Sequence, residues 1–277
     1  MTVLVTGATG QVGRGVVTEL LRAGARVRAL TRNPEGAKLP DGAKVVRGDL
    51  EDPASLAPAL RGAKRLYLFP VPQTASTVVA MAEEAGVERV VVLSGALADQ
   101  DDSDEGYLPV ERAVQASGME WTVLRPGEFA TNWLDYASEV RDRREVRRPF
   151  GKAVTRPTHE ADIADAAVAA LLTDGHTGQT YTFTGPDELT VAEQARTIGE
   201  AIGQPVTFVE LTPEQTHEEW HDPDNGVDHD VIDWLLDLYG SSLNGDGIPH
   251  TDHFERLVGR PGRPFAAWIH DHADDFR

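Results

Sequence analysis

The 277-residue chain carries 45 acidic and 26 basic residues, a net charge of −19. That charge repels nucleic acid and anionic membrane, so neither is an expected partner. The chain has no cysteine, which excludes disulfides and thiolate chemistry. The length is enough for one large α/β domain, or one plus a small lobe. No basic leader or long apolar run precedes the first strand, so a soluble, cytoplasmic protein is expected.

Residues 2–6 are a short apolar run rich in β-branched side chains and predict a buried strand. Gly7-Ala-Thr-Gly10-Gln-Val-Gly13 follows at once. From Gln11 to about residue 23 the apolar spacing is helical (Val12, Val16, Val17, Leu20, Leu21). Strand, glycine turn and helix in that order form a phosphate cradle. Gly7 allows the tight turn, and Gly10 lets the backbone approach a pyrophosphate at the helix N-terminus. Gly13 lets helix and strand pack closely. Thr9, Gln11 and Val12 complete the predicted cofactor contacts of this turn.

The second strand spans residues 26–30, and Thr31-Arg32-Asn33-Pro34 ends it. A site for NAD usually carries an acid here to hold the ribose hydroxyls. Arg32, with Arg28 nearby, suits a 2′-phosphate, which favours NADPH over NADH. The third strand spans 44–47. Asp49 and Leu50 fall at its carboxyl end, where adenine would lie, and a turn role for Asp49 is equally open. Asp52 caps a short helix with Pro53 at its first position. The fourth strand, 64–68, ends in Phe69-Pro70-Val71-Pro72, whose prolines stop it and shape the pocket floor near the cofactor. A helix over 74–85 leads to a fifth strand over 89–93, with Ser94-Gly95 at its end. This alternation implies a parallel, doubly wound sheet with ligands beyond the strands' carboxyl ends.

The blocks Thr6-Gly7-Ala8-Thr9-Gly10-Gln11-Val12-Gly13, Leu30-Thr31-Arg32-Asn33-Pro34 and Gly48-Asp49-Leu50 resemble atypical short-chain dehydrogenase/reductases of the NmrA-like group. Ser117-Gly118-Met119-Glu120-Trp121-Thr122-Val123-Leu124-Arg125-Pro126, Glu160-Ala161-Asp162-Ile163-Ala164 and Thr184-Gly185-Pro186 strengthen the resemblance. The chain looks most similar to actinobacterial NAD(P)H-binding members. The resemblance covers most of the chain and weakens after about residue 210. It implies a doubly wound parallel Rossmann-like sheet, a smaller C-terminal α/β substrate lobe, and an NADPH site between them. On this reading residues 1–130, completed by 155–185, form the cofactor core. Residues 131–154 and 186–277 form the lobe. The group includes quinone reductases, other reductases and redox-sensing regulators without turnover.

Typical reductases of the wider superfamily carry Ser, Tyr and Lys, with Tyr-x-x-x-Lys on one helix. The phenol donates a proton as hydride arrives, and the lysine lowers its pKa and holds the ribose. Here Ser94 and Tyr107 are the catalytic candidates, but Glu111 stands at the lysine position. Arg112 points about 100° away on a helix. A carboxylate beside the phenol is expected to raise its pKa. Tyr107 is then a neutral hydrogen-bond donor, or a surface residue before a helix. A simple ketone needs strong help at its oxygen, so the expected acceptor is a quinone, enone or related aromatic ketone. The acidic stretch 99–105 reads as a solvated loop or a lid.

A sixth strand spans 120–124. Pro126, Gly127 and Phe129 turn off its end and, with Ser94, are placed at the nicotinamide face. By resemblance, Asn132 and Trp133 begin a segment lining the substrate side, although Trp133 and Tyr136 suit a core. Residues 139–148 are densely charged and read as a solvated face, and only secondarily as arginines attracting an anionic substrate. His159 reads as a capping or packing residue ahead of an alanine-rich helix to about 172. Thr190-Val-Ala-Glu193 is a capping box. His217-Glu-Glu-Trp-His221 matches a zinc-protease pattern. A cap over 212–215 and Asp222-Pro223 limit that helix to about two turns, so no metal is assigned. Helices over 231–239, near His253, Phe254 and Leu257, and after Pro264 close the chain. The expected function is NADPH-dependent reduction of a small molecule by a monomer or homodimer. An NADP(H)-sensing regulator without turnover is the alternative, followed by an isomerase or cyclase without redox chemistry.

Overall fold

A computed structural model describes residues 1–98, 106–243 and 247–277, so the acidic stretch 99–105 lies outside the described residues. In chain order the first elements are β1 (Thr2–Val5), α1 (Gln11–Arg22), β2 (Arg26–Thr31), β3 (Lys44–Arg47), α2 (Ala57–Leu60) and β4 (Arg65–Leu68). Next come α3 (Ala75–Glu84), β5 (Arg89–Leu93), α4 (Leu108–Ala116), β6 (Glu120–Pro126), α5 (Ala137–Arg143), β7 (Glu145–Arg148) and β8 (Val154–Thr155). Then follow α6 (Glu160–Leu172), β9 (Gln179–Phe183), β10 (Leu189–Thr190), α7 (Val191–Ile202) and β11 (Thr207–Glu210). The last are α8 (Pro213–Trp220), α9 (His229–Ser241), α10 (His253–Val258) and α11 (Phe265–His272).

One compact unit comprises Met1–Gly127, Glu160–Phe183 and Thr251–Gly262. Its seven strands run in the order β3-β2-β1-β4-β5-β6-β9, and every pairing is parallel. This is the doubly wound Rossmann-like sheet. Strands covered on both faces read as near-continuous apolar runs: all five residues of β5 are buried, four of them apolar, and the fifth, Arg89, is paired with Glu120 and Asp174. Leu4, Leu66, Val90, Val92 and Val123 share a core with residues of α2, α3 and α4. Across the sheet α1 packs on α6, so closely that a Cβ at Gly15 would lie 2.9 Å from that of Ala164.

The segment Thr251–Gly262 belongs to this unit, not to the second lobe where the sequence reading put it. His253 accepts from the Thr182 amide at 3.1 Å, Phe254 packs against Phe183, and Arg260 pairs with Asp162 at 2.8 Å and with Asp165. These partners lie about the end of β9 and on α6, so α10 closes that edge of the sheet.

The second unit comprises Glu128–His159, Thr184–His250 and Arg263–Arg277. It holds a parallel pair, β7 with β11, and an antiparallel pair, β8 with β10. Its core gathers Trp133, Val140, Val146, Ile198, Trp268 and Phe276. The expected capping box forms at Thr190–Glu193, and the cap expected over 212–215 is a second capping box, Thr212–Gln215. Gln194 is fully buried and satisfied: it accepts from the Trp133 indole at 2.8 Å and donates to Thr155 at 2.8 Å and to the Leu189 carbonyl at 3.1 Å.

The charged stretch 139–148 is a solvated face only in part: Arg141, Asp142 and Arg143 are exposed, while Val140, Val146 and Arg148 are buried. It forms α5 and β7, and β7 alternates: Val146 and Arg148 point into the unit, while Arg147 turns out to Glu219. An arginine at an inward strand position reads as polar, which hid the period of two. Among the described residues no helix is long and apolar enough to cross a membrane.

Burial raises the pKa of all five tyrosines, most strongly for Tyr67 and Tyr136. A native state that keeps protons the unfolded chain has lost is destabilised by rising pH. Stability is therefore expected to be flat for these groups below pH ~10 and to fall above it, by about 1.4 kcal/mol per pH unit for each fully protected phenol. Thermal melts between pH 8 and 11 measure this, and a melting temperature level across ~pH 10–11 would contradict it.

Candidate cofactor and active site

The glycine turn has the geometry that its sequence demands. Gly7 has φ +58°, a left-handed conformation that favours glycine, and a Cβ there would sit 3.0 Å from that of Phe69. The Gly10 amide donates to the Gly7 carbonyl at 3.0 Å. A Cβ on Gly13 would lie 2.1 Å from that same carbonyl oxygen, so only glycine lets α1 reach the turn. Gly10 caps α1 without a side-chain bond, and the first turn holds no acid. The amides at the start of this helix are thus left for an outside acceptor, and the cradle fits a dinucleotide pyrophosphate. Thr9, Gly10 and Gln11 are exposed there, while Val12 anchors the helix in the core.

Arg14, given no role by the sequence reading, donates to the Thr9 carbonyl at 3.2 Å and to that of Lys38. It ties the turn to the loop beyond β2. Its only signal in the sequence is a cation placed directly after Gly13. Arg32 is exposed at the end of β2 and makes no hydrogen bond or ion pair with the described residues. Arg28 is not a second cation beside it. Its guanidinium donates to the carbonyls of Ala59 and of Arg61, the latter at 2.9 Å, where the C-terminus of α2 attracts positive charge.

Asp49 accepts from the Glu51 amide at 3.1 Å, so its side chain braces its own turn. Leu50, Phe69, Val71, Thr74 and Val110 line an apolar slot at the strand ends. Thr74 donates to the Leu50 carbonyl at 2.8 Å. Pro70 follows Phe69, whose ring is 44% exposed although apolar. Exposed rings beside a phosphate cradle offer a flat surface to a ligand.

At the carboxyl ends of β5, β6 and β9 the expected residues converge. The Ser94 amide donates to Leu124, that of Ala96 to Pro126 at 2.9 Å, and that of Gly127 to Phe183 at 2.8 Å. Phe129 belongs to the second unit, where it bridges to Thr158.

Glu111 resolves the departure from Tyr-x-x-x-Lys. It is 1% exposed and accepts two bonds from Arg125, at 2.8 and 2.7 Å, and one from the Ser94 hydroxyl. The carboxylate is thereby paired through the two-pronged arginine geometry. The Ser94 hydroxyl donates its proton to Glu111, so toward a ligand it can accept a hydrogen bond and has no second proton to donate. The Tyr107 ring lies against Gly95, where a Cβ would come within 2.6 Å of it. Its pKa is raised, as expected, but burial is the cause and Glu111 is not. Tyr107 is nonetheless 37% exposed, which leaves the phenol reachable.

Elsewhere α8 ends at Trp220, and His221 follows in extended backbone, so the two histidines of the zinc-protease pattern do not share a helix face. His229 does come to His217, with ring nitrogens 3.0 Å apart, and His217 bonds Asp233 at 2.9 Å. Among the described residues no group of three or more such side chains is arranged to hold a metal. His159 is buried, with Nε2 3.5 Å from Asp271.

The chain is 34% identical to (4-alkanoyl-5-oxo-2,5-dihydrofuran-3-yl)methyl phosphate reductase of Streptomyces griseus, over 99% of both chains. It is 32% identical to an NAD(P)H azoreductase of Xenophilus azovorans, again over 99% of both. The crystal structure of an NADPH-dependent quinone oxidoreductase from Escherichia coli superposes with a TM-score of 0.80 at 25% identity, covering 97% of this chain and 98% of the other. These relatives are reductases, and the resemblance to the NmrA-like group read from the sequence holds. The NAD(P)H-binding family matches residues 7–174, and the chain belongs to that family.

Proposed function

We propose that the protein is an NADPH-dependent reductase that delivers hydride to an acceptor already activated by conjugation: a quinone, an enone or a related aromatic ketone. The observation that carries this is Glu111. With the lysine position taken by a carboxylate bound to Arg125 and Ser94, nothing there lowers the Tyr107 pKa. Tyr107 donates a hydrogen bond as a neutral phenol, and a delocalised oxyanion needs no more than that. Relatives named for quinone, azo and butenolide-phosphate reduction support an activated acceptor.

NADPH, when bound, supplies the hydride. The amides of the turn from Gly7 to Gly13 hold the pyrophosphate, with Thr9, Gln11 and Val12 in that turn. Leu50 and Phe69 take the adenine side, with Asp49 and Pro70 shaping the turns about it. Arg32 meets the 2′-phosphate. The backbone at Pro126 and Gly127 orients the nicotinamide. Ser94 acts through Glu111 to set the start of α4, and so is a positioning residue for Tyr107.

Loss of NADPH absorbance with a panel of quinones and enones tests the reading, after calorimetry has measured NADPH binding. Turnover with at least one acceptor is expected, and Tyr107→Phe is expected to lower kcat by roughly 10–100-fold, the low end for general acid help. NADPH binding with no turnover of any acceptor would overturn it. That outcome favours an NADP(H)-sensing protein, for which the missing lysine carries no penalty. Arg32→Ala is expected to weaken NADPH binding by about tenfold or more and to spare NADH, as loss of a charge-assisted bond predicts. Unchanged affinity for both would remove the 2′-phosphate assignment.

A further inference from the structure

The second unit buries polar groups that the reading above does not use. Arg148 is 3% exposed, and its Nε and Nη2 have no hydrogen-bond partner among the described residues. These two nitrogens lie on one edge of the guanidinium, the edge that meets a carboxylate or phosphate through two parallel bonds. The rings of Trp133, Tyr136 and Tyr239 stand 5.5, 5.8 and 4.6 Å from the guanidinium carbon. They hold the cation through their π-faces and supply no acceptor to that edge.

Glu128 Oε2 and Thr158 Oγ1 are also buried without partners, and the Thr158 amide donates to the Glu128 carbonyl at 2.7 Å. Glu128 favours the Arg148 charge, yet no ion pair within 4.0 Å joins the two among the described residues. The protein's own carboxylate therefore does not close the edge, although buried polar groups are normally closed. Glu128 also follows directly on Gly127, the loop assigned above to the nicotinamide. In a chain of net charge −19, an anionic substrate needs a local cation of this kind to be held at all.

We propose that Arg148 is the oxyanion subsite of the substrate. Its Nε–Nη2 edge takes a carboxylate or phosphate on a small conjugated acceptor, and Glu128 and Thr158 bond a hydroxyl of the same molecule. The inference rests on the reductase reading for calling that molecule a substrate. Arg148 is 3% exposed, so the ligand is admitted only by movement of the surrounding side chains.

The test titrates the full chain by calorimetry with phenyl phosphate, benzoate and neutral benzyl alcohol, at constant ionic strength. The wild type is expected to bind at least one anion about tenfold or more tighter than benzyl alcohol, as a desolvated two-bond contact implies. The tighter anion identifies phosphate or carboxylate as the group taken. Arg148→Met is expected to abolish the preference. Arg148→Lys, which keeps the charge without the fork, is expected to lose most of it. Equal affinity for anions and benzyl alcohol in the wild type overturns the proposal, and that result holds even where a variant fails to fold. A preference unchanged in Arg148→Met overturns it as well. Wild-type NADPH oxidation with neutral 1,4-naphthoquinone separates the two readings. Turnover without an anion preference removes the subsite alone. A preference that depends on Arg148, with no acceptor turned over, keeps the oxyanion site and removes the reductase.

Discussion

Glu111→Lys restores the Tyr-x-x-x-Lys spacing, and the expected result is a destabilised protein and no better catalyst. The new ammonium would face the Arg125 guanidinium, which now donates twice to Glu111, and the Ser94 hydroxyl would lose its acceptor. Breaking a buried ion pair and leaving its partner charged costs about 3–5 kcal/mol. For a chain of this size that lowers the melting temperature by on the order of 10 °C. Glu111→Lys combined with Arg125→Glu reverses the pair and is expected to recover at least half of the loss. Thermal melts of the three proteins give the answer. A single Glu111→Lys variant that melts within about 2 °C of wild type, less than 1 kcal/mol at this length, would show that the pair does not hold this corner together.

Gly13→Ala and Gly10→Ala separate the two duties of the glycine turn. A Cβ at Gly13 would overlap the Gly7 carbonyl, at 2.1 Å, whereas at Gly10 it would meet the same atom at 3.3 Å. Gly13→Ala must push α1 off the turn, so both stability and cofactor binding are expected to fall, the latter about 100-fold for ~3 kcal/mol of lost contact. Gly10→Ala is expected to keep the melting temperature and still weaken NADPH, because its methyl would stand where the pyrophosphate approaches the backbone. Calorimetry and melts on both variants check this. Gly13→Ala with native affinity would show that the cofactor does not use this cradle.

What the sequence made legible was local. Gly7, Gly10 and Gly13 fall within one turn, and the capping boxes at Thr190 and Thr212 each span four residues. The parallel sheet followed from strands alternating with helices. Buried charges were illegible, because their partners are distant in sequence. Glu111 needs Arg125 and Ser94, and Arg148 needs rings at 133, 136 and 239. Arg28 looked like a neighbour of Arg32 until its path to Ala59 was known. The short helix α10 carries too few apolar residues to announce where it docks, and Thr182, Phe183 and Asp162 decide that.

The division into two units also bears on how the chain is made. The backbone passes from one unit to the other after Gly127, His159, Phe183, His250 and Gly262, so neither unit is a continuous piece. The second core includes Phe276, which is fully buried against Trp268. During synthesis the residues of this core that emerge first, Trp133 and Val146 among them, must wait for a partner produced about 130 residues later. Until then they are exposed apolar surface on a nascent chain, the condition under which chaperones bind and aggregation begins. A ribosome stalled before residue 276 would therefore carry a first unit still awaiting α10 or newly closed by it, beside a second that has no means of closing.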